Sequence, residues 1–152
     1  MSACVFAIAE QIEGEFRKVS FEAVSEGRRL AEGLGLPLVA AVLGANMEAA
    51  AGELGRFGAD RILLADRPEL TDYSTDAYVR ILSDWIEKER PAVVLLGATA
   101  QGKDLAARLS ARIDAPLAMD AVGIRRGGEQ WIAVRPVYGG KILAEVVFEG
   151  AP

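Results

Sequence analysis

The 152-residue sequence contains no histidine and only one cysteine, Cys4. The missing histidine removes imidazole acid–base catalysis, Ser-His-Asp and Cys-His nucleophile systems, and every histidine-ligated metal. One cysteine cannot build an internal disulfide, a Cys-x-x-Cys redox pair or an iron–sulfur cluster. Cys4 lies within Ala3-Cys4-Val5-Phe6-Ala7-Ile8-Ala9 and reads as a small buried hydrophobe, whose thiol pKa burial would raise. Basic residues are also short: 17 against 22 acidic, a net charge of −5. Nucleic-acid binders usually carry the opposite surplus, so no nucleic-acid partner is expected. No apolar run approaches the ~20 residues that cross a bilayer, and the basic start and small-residue cleavage site of a secretory signal are missing. A cytoplasmic chain without a membrane span is expected.

What is present is an ordinary globular composition, 51% AVILMFWYC and 26% charged, at the length of one domain. Four short runs are apolar throughout: Cys4–Ala9, Leu38–Leu43, Ile62–Ala65 and Ala92–Leu96. Such runs suit strands buried on both faces of a parallel sheet. Amphipathic stretches alternate with them. Ser20 is placed to cap a helix bearing Phe21, Val24, Leu30, Ala31 and Leu34, which Gly35 and Pro37 stop. Asn46 is placed to cap the next, which carries Met47, Ala50, Ala51, Leu54 and Phe57 and ends at Gly58. A third runs from about Thr75 to Glu89 with Tyr78, Leu82, Trp85 and Ile86 on one side. A fourth starts near Gly102–Asp104 and uses Leu105, Leu109 and Ile113. Strand and helix in this order mean βαβ units, a parallel sheet and helices on both faces.

The last third reads differently. Met119–Arg126 and Glu129–Arg135 form a hairpin about Gly127-Gly128. Pro136–Gly140 is a loop and Lys141–Phe148 a final strand. The expected fold is a three-layer α/β/α arrangement, Rossmann-like and mostly parallel, with an antiparallel C-terminal extension at one edge of a mixed sheet. Glu149–Pro152 suits a domain boundary.

Ligands of open parallel sheets sit outside the C-terminal strand ends, where the strand order reverses. Two segments belong there. Ala9–Glu15 lacks G-x-G-x-x-G, and its glutamates Glu10, Glu13 and Glu15 disfavour pyrophosphate; it reads as a solvated loop. Gly97–Asp104 has the G-x-x-x-x-G-K spacing of a P-loop between strand and helix. Asp104, however, replaces the Ser or Thr that would hold magnesium, and it repels phosphate. Two readings stay open. In one, the segment is a tight turn with Asp104 complementing the helix dipole. In the other, it is a non-hydrolytic anion site in which Thr99, Gly102 and Lys103 surround an adenine-nucleotide phosphate. No carboxylate pair stands out as an acid–base couple, and neither a catalytic nor a metal site is expected. Arg125 and Arg126 flank a turn and read as exposed. Trp85 lies on a packing stripe, Trp131 in a strand at core or interface, and Tyr138 is the best surface aromatic.

Several linked segments carry a resemblance. They are the opening strand with its acidic loop, Gly97-Ala-Thr-Ala-Gln-Gly-Lys-Asp-Leu-Ala-Ala-Arg108, Met119-Asp120, and Arg135-Pro-Val-Tyr-Gly-Gly-Lys141. In this order they resemble the N-terminal domain of the electron transfer flavoprotein α subunit, over essentially the whole chain. The resemblance implies one adenine-nucleotide-α-hydrolase-like domain over 1–152. It also implies pairing with the β subunit, and a scaffold on which an FAD domain sits while electrons pass from flavoprotein dehydrogenases to an acceptor. FAD would belong to the α subunit's further domain, missing from this sequence, and AMP to the β subunit, leaving no cofactor in this chain. Arg135, Tyr138 and Gly140 are then candidates for an interface. The alternatives are a stand-alone adenine-nucleotide-binding domain of the universal-stress-protein type, and an enzyme such as a nucleotide α-hydrolase using the same crevice.

Overall fold

A computed structural model describes residues 3–149. The chain packs as two compact units, Met1–Gly97 and Ala98–Pro152. In the first, the apolar runs become β1 (Val5–Ala9), β4 (Leu38–Gly44), β5 (Arg61–Asp66) and β6 (Val93–Leu96). They pair in parallel in the order β5-β4-β1-β6, with Ala7 opposite both Ala40 and Leu95. The two central strands are buried from end to end. That burial is why they lack an alternating pattern, and each large apolar side chain so removed from water contributes about 1.5–3 kcal/mol.

Helix α1 (Lys18–Leu34) packs on β1, β4 and β6. Gly27 lets it approach closely, since a Cβ there would lie 2.7 Å from Leu38 Cδ1. Gly35 ends it at φ 66, a left-handed conformation that only glycine enters freely. The amide of Leu36 then returns to the Ala31 carbonyl. Ser20 is not the cap. The helix starts three residues earlier than Phe21, after Arg17, and buried Ser20 turns its hydroxyl inward. The single helix expected after Asn46 is instead two short pieces, α2 (Glu48–Ala51) and α3 (Glu53–Arg56), both against β5. Gly52 and Gly55 within eight residues lower the helix propensity enough to break it. Asn46 does not cap this segment; it takes φ 58 in the turn before it. Helix α4 (Thr75–Glu89) matches its expected span, with Tyr78, Leu82 and Ile86 buried and Trp85 half-buried. Cys4 is buried and its thiol is pushed up to about 11, chiefly by desolvation.

In the second unit, α5 (Ala100–Ile113) precedes three antiparallel strands: β7 (Gly123–Gly127), β8 (Gln130–Val137) and β9 (Ile142–Val147). They form a sheet of their own, in the order β7-β8-β9. The antiparallel extension is therefore a separate sheet and not the edge of a mixed one. The β7–β8 turn falls on Gly128-Glu129, one residue later than expected, because Gly127 still pairs with Gln130. Strand β8 runs on through Pro136, which the sequence placed in a loop. The proline is tolerated because pairing with β7 stops at Gly123 opposite Val134, so its missing N–H faces a side where no partner strand remains. The expected boundary at Glu149–Pro152 lies, from Gly150 on, outside the described residues.

Candidate functional site

The order of the parallel sheet reverses between β1 and β6, so a ligand crevice belongs at their C-terminal ends. Several side chains of the first unit lie at those ends. After β1 the chain forms a small antiparallel hairpin, β2 (Gln11–Ile12) and β3 (Glu15–Phe16). Glu10 and Gln11 are buried, so the acidic segment is only partly the solvated loop expected, with Glu13 and Glu15 exposed at its tip. Two-residue strands have no readable period, which is why the sequence concealed them.

Glu10 ties the hairpin to the start of α1. Its carboxylate accepts from the Arg17 guanidinium at 2.9 Å. Its amide donates to the Ser20 hydroxyl oxygen at 2.7 Å, and that hydroxyl donates to the Glu10 carbonyl at 2.6 Å. These bonds draw the first turn of α1 across the sheet end, where Val19 covers Gly97. A Cβ on Gly97 would lie 2.3 Å from Val19 Cγ2. One strand over, Gln11 donates to the Leu43 carbonyl at 3.4 Å and accepts from the Gly14 amide at 3.0 Å. Tyr78 donates to the same Leu43 carbonyl at 3.2 Å. Burial raises its phenol pKa, and a hydrogen bond with Gln11 lowers it in part. Gly44 is so tightly covered that a Cβ would sit 2.8 Å from both Gln11 Nε2 and Met47 Cγ.

The backbone amides after β4 already have an anion. The Asp66 carboxylate, at the end of β5, accepts from Asn46, Met47 and Glu48 at 2.7, 2.8 and 3.1 Å. A phosphate there would have to displace a covalently attached carboxylate. The strand ends of the first unit thus carry Val19 against Gly97, Gln11 and Met47 against Gly44, and Asp66 on the amides after β4. Val19, Gln11 and Asp66 were not singled out from the sequence. An aspartate after an apolar strand was the only trace of the last.

Of the P-loop-like spacing, Thr99, Gly102 and Lys103 lie at the start of α5 in the second unit. Thr99 is the cap of α5: its hydroxyl oxygen accepts from the Gly102 amide at 2.9 Å, and its carbonyl from the Lys103 amide at 2.8 Å. Lys103 pairs with Asp120 at 2.7 Å, in a turn where Asp120 takes φ 54. The three nucleotide candidates thus lie together, with the polar groups named here engaged within the unit. Among the described residues no group of three or more Cys, Asp or Glu is placed to hold a metal ion, and no helix is long and apolar enough to cross a membrane.

The interface candidates lie at the β8–β9 turn. Tyr138, Gly139 and Gly140 take φ 52, 65 and 85 in succession, and Gly140 closes the turn with an amide bond to the Val137 carbonyl. A left-handed conformation is uncommon for a bulky residue. Here it holds a tyrosine that is 78% exposed. Ile142 and Leu143 beside it are 53% and 63% exposed. Arg125 pairs with Glu145, and Arg126 donates to the Gly128 carbonyl and lies 5.8 Å over Trp131, which is half-buried.

Residues 5–152 match the family model described as the electron transfer flavoprotein domain. The chain is 40% identical over 144 residues to Protein FixB of Clostridium saccharobutylicum, covering 93% of this chain and 43% of that protein. It is 37% identical over 147 residues to the electron transfer flavoprotein subunit alpha of Bacillus subtilis, covering 97% and 45% respectively. It is also 44% identical over 116 residues to the acryloyl-CoA reductase electron transfer subunit beta of Anaerotignum propionicum, covering 76% and 32%. The chain thus spans less than half the length of these relatives.

Proposed function

From the premise that the chain belongs to the electron transfer flavoprotein family, we propose that it is a non-catalytic scaffold domain of an α subunit. In this proposal it pairs with the β subunit and supports the part of the assembly that carries FAD. Electrons pass from flavoprotein dehydrogenases to an acceptor through that other part. One observation carries the proposal: at the strand ends where this fold would hold a nucleotide, Val19 lies against Gly97, Gln11 and Met47 lie against Gly44, and the amides of residues 46–48 are held by Asp66. The second unit presents outward the Tyr138 turn with exposed aliphatic residues beside it. Aromatic residues presented on rigid elements are the usual anchors of protein interfaces. Arg135, Tyr138 and Gly140 are accordingly assigned to contact with the β subunit or the FAD domain, and AMP to the β subunit.

Calorimetric titration of the full chain with the cognate β subunit tests this. Tyr138→Ala should weaken binding by roughly 30-fold, the loss of an interface anchor worth about 2 kcal/mol. Separate titrations with AMP, ATP and FAD should give no heat. An unchanged affinity of the Tyr138 variant would remove the interface assignment. Submillimolar AMP or ATP binding abolished by Thr99→Val would replace the scaffold with a stand-alone nucleotide-binding domain.

A further inference from the structure

Arg135 is the unusual cation of the second unit. It sits in β8 opposite Ala144, half-buried. Its Nε is shielded from solvent and has no hydrogen-bond acceptor, and its guanidinium has no ion-pair partner among the described residues. The neighbouring arginines differ. Arg125 holds Glu145 and Arg126 holds a backbone carbonyl while stacking on Trp131. A buried charged donor without an acceptor is costly and rare in finished structures. Along a strand, alternate residues share a face, so Arg135 lies on the same face as Val137, Ala144 and Ile142, and Ile142 is 53% exposed.

A guanidinium whose shielded Nε lacks an acceptor, beside exposed apolar surface, is what one half of a charge-assisted contact looks like before its partner arrives. A planar fork of donors fits a carboxylate in two-point fashion. We infer that Arg135 is the receptor for an aspartate or glutamate side chain of the docking protein. This rests on the proposed pairing with the β subunit. Arg135 is a binding determinant, and its unpaired state is a burden on the isolated chain that docking relieves.

The two consequences have opposite signs, which separates this role from a structural one. Arg135→Met keeps the aliphatic volume and removes the charge. In the free chain its urea midpoint and melting temperature should equal or exceed those of the parent, because no native partner is lost. In titration with the cognate β subunit it should bind at least tenfold more weakly. Arg135→Lys, a single-point donor, should fall between, and Arg125→Gln should stay within twofold of the parent. Arg135→Glu should abolish binding, and one Asp→Arg or Glu→Arg change on the β subunit should restore it. Parent-like affinity of Arg135→Met while the parent binds overturns this inference alone. Destabilisation of the free chain by Arg135→Met also overturns it. Failure of the parent to bind the β subunit overturns both it and the proposed pairing.

Discussion

Adding one methyl group at Gly97 measures how firmly the first turn of α1 closes the sheet. Gly97 does not occupy the left-handed region, so alanine is compatible with its backbone. Through the unfolded chain alone the change should stabilise by about 0.4–1 kcal/mol. The new Cβ, however, would sit 2.3 and 2.8 Å from the two γ-methyls of Val19 and 3.1 Å from its Cβ. Overpacking of this kind costs about 1–3 kcal/mol. With two contacts under 3 Å, overpacking near the middle of that range, about 2 kcal/mol, leaves a net loss of about 1–1.6 kcal/mol, a fall in melting temperature of about 2–6 °C at this chain length. Val19→Ala removes both offending methyls and leaves only the 3.1 Å contact, which a shift of a few tenths of an ångström relieves. The double variant should be no less stable than Val19→Ala alone, giving a coupling of at least about 1 kcal/mol between the sites. Urea unfolding followed by circular dichroism, applied to the parent, both single variants and the double, completes the cycle. A Gly97→Ala chain as stable as the parent, or costs that simply add, would refute the contact and with it the closed strand ends.

Three further outcomes follow from the same geometry. Asp66→Ala strips the acceptor from three backbone amides and should lower stability by about 2–3 kcal/mol; Asp66→Asn should recover part of it, as read by urea midpoints. Native Cys4 should stay unreactive toward a thiol-specific disulfide reagent at pH 8 and react once urea is added, and rapid modification of the folded chain would contradict its burial. The same thiol sets an alkaline limit. Its folded pKa, about 11, lies above the ordinary 9.0, so ionisation favours the unfolded chain once pH exceeds 9. Stability should then fall by about 2–3 kcal/mol between pH 9 and 11, and Cys4→Ala should remove that part of the slope in pH-dependent urea titrations.

The parallel sheet was legible because its strands are uniformly apolar, as strands covered on both faces must be. Helix α4 was legible to the residue because its buried positions keep the helical period without interruption. Legibility failed where a backbone choice depended on a distant group. The turn at Asn46 is shaped by Asp66, 20 residues away, and nothing local distinguishes that asparagine from a helix cap. Ser20 has the composition of a cap but answers to Glu10, so the helix starts before it. The P-loop spacing at Gly97–Lys103 shows the converse. The spacing admits a helix start or an anion site at Thr99, Gly102 and Lys103, and in the structure Thr99 accepts from the Gly102 amide while Lys103 pairs with Asp120. The same residue types satisfy a helix end or a ligand, and only three-dimensional neighbours separate the two uses.

Satisfying the amides after β4 from within the chain has a physical consequence. An open crevice presents unpaired amides to solvent and gains stability only when a ligand arrives. In this chain Asp66 is tethered, so its carboxylate meets the amides of 46–48 without loss of translational freedom and at every ligand concentration. In the second unit, the Tyr138 turn is exposed and the Arg135 Nε has no acceptor among the described residues. If the scaffold assignment is right, thermal stability of the isolated chain should be indifferent to millimolar AMP, ATP or FAD and should rise on adding the cognate β subunit. A rise with nucleotide and none with protein would reverse the assignment.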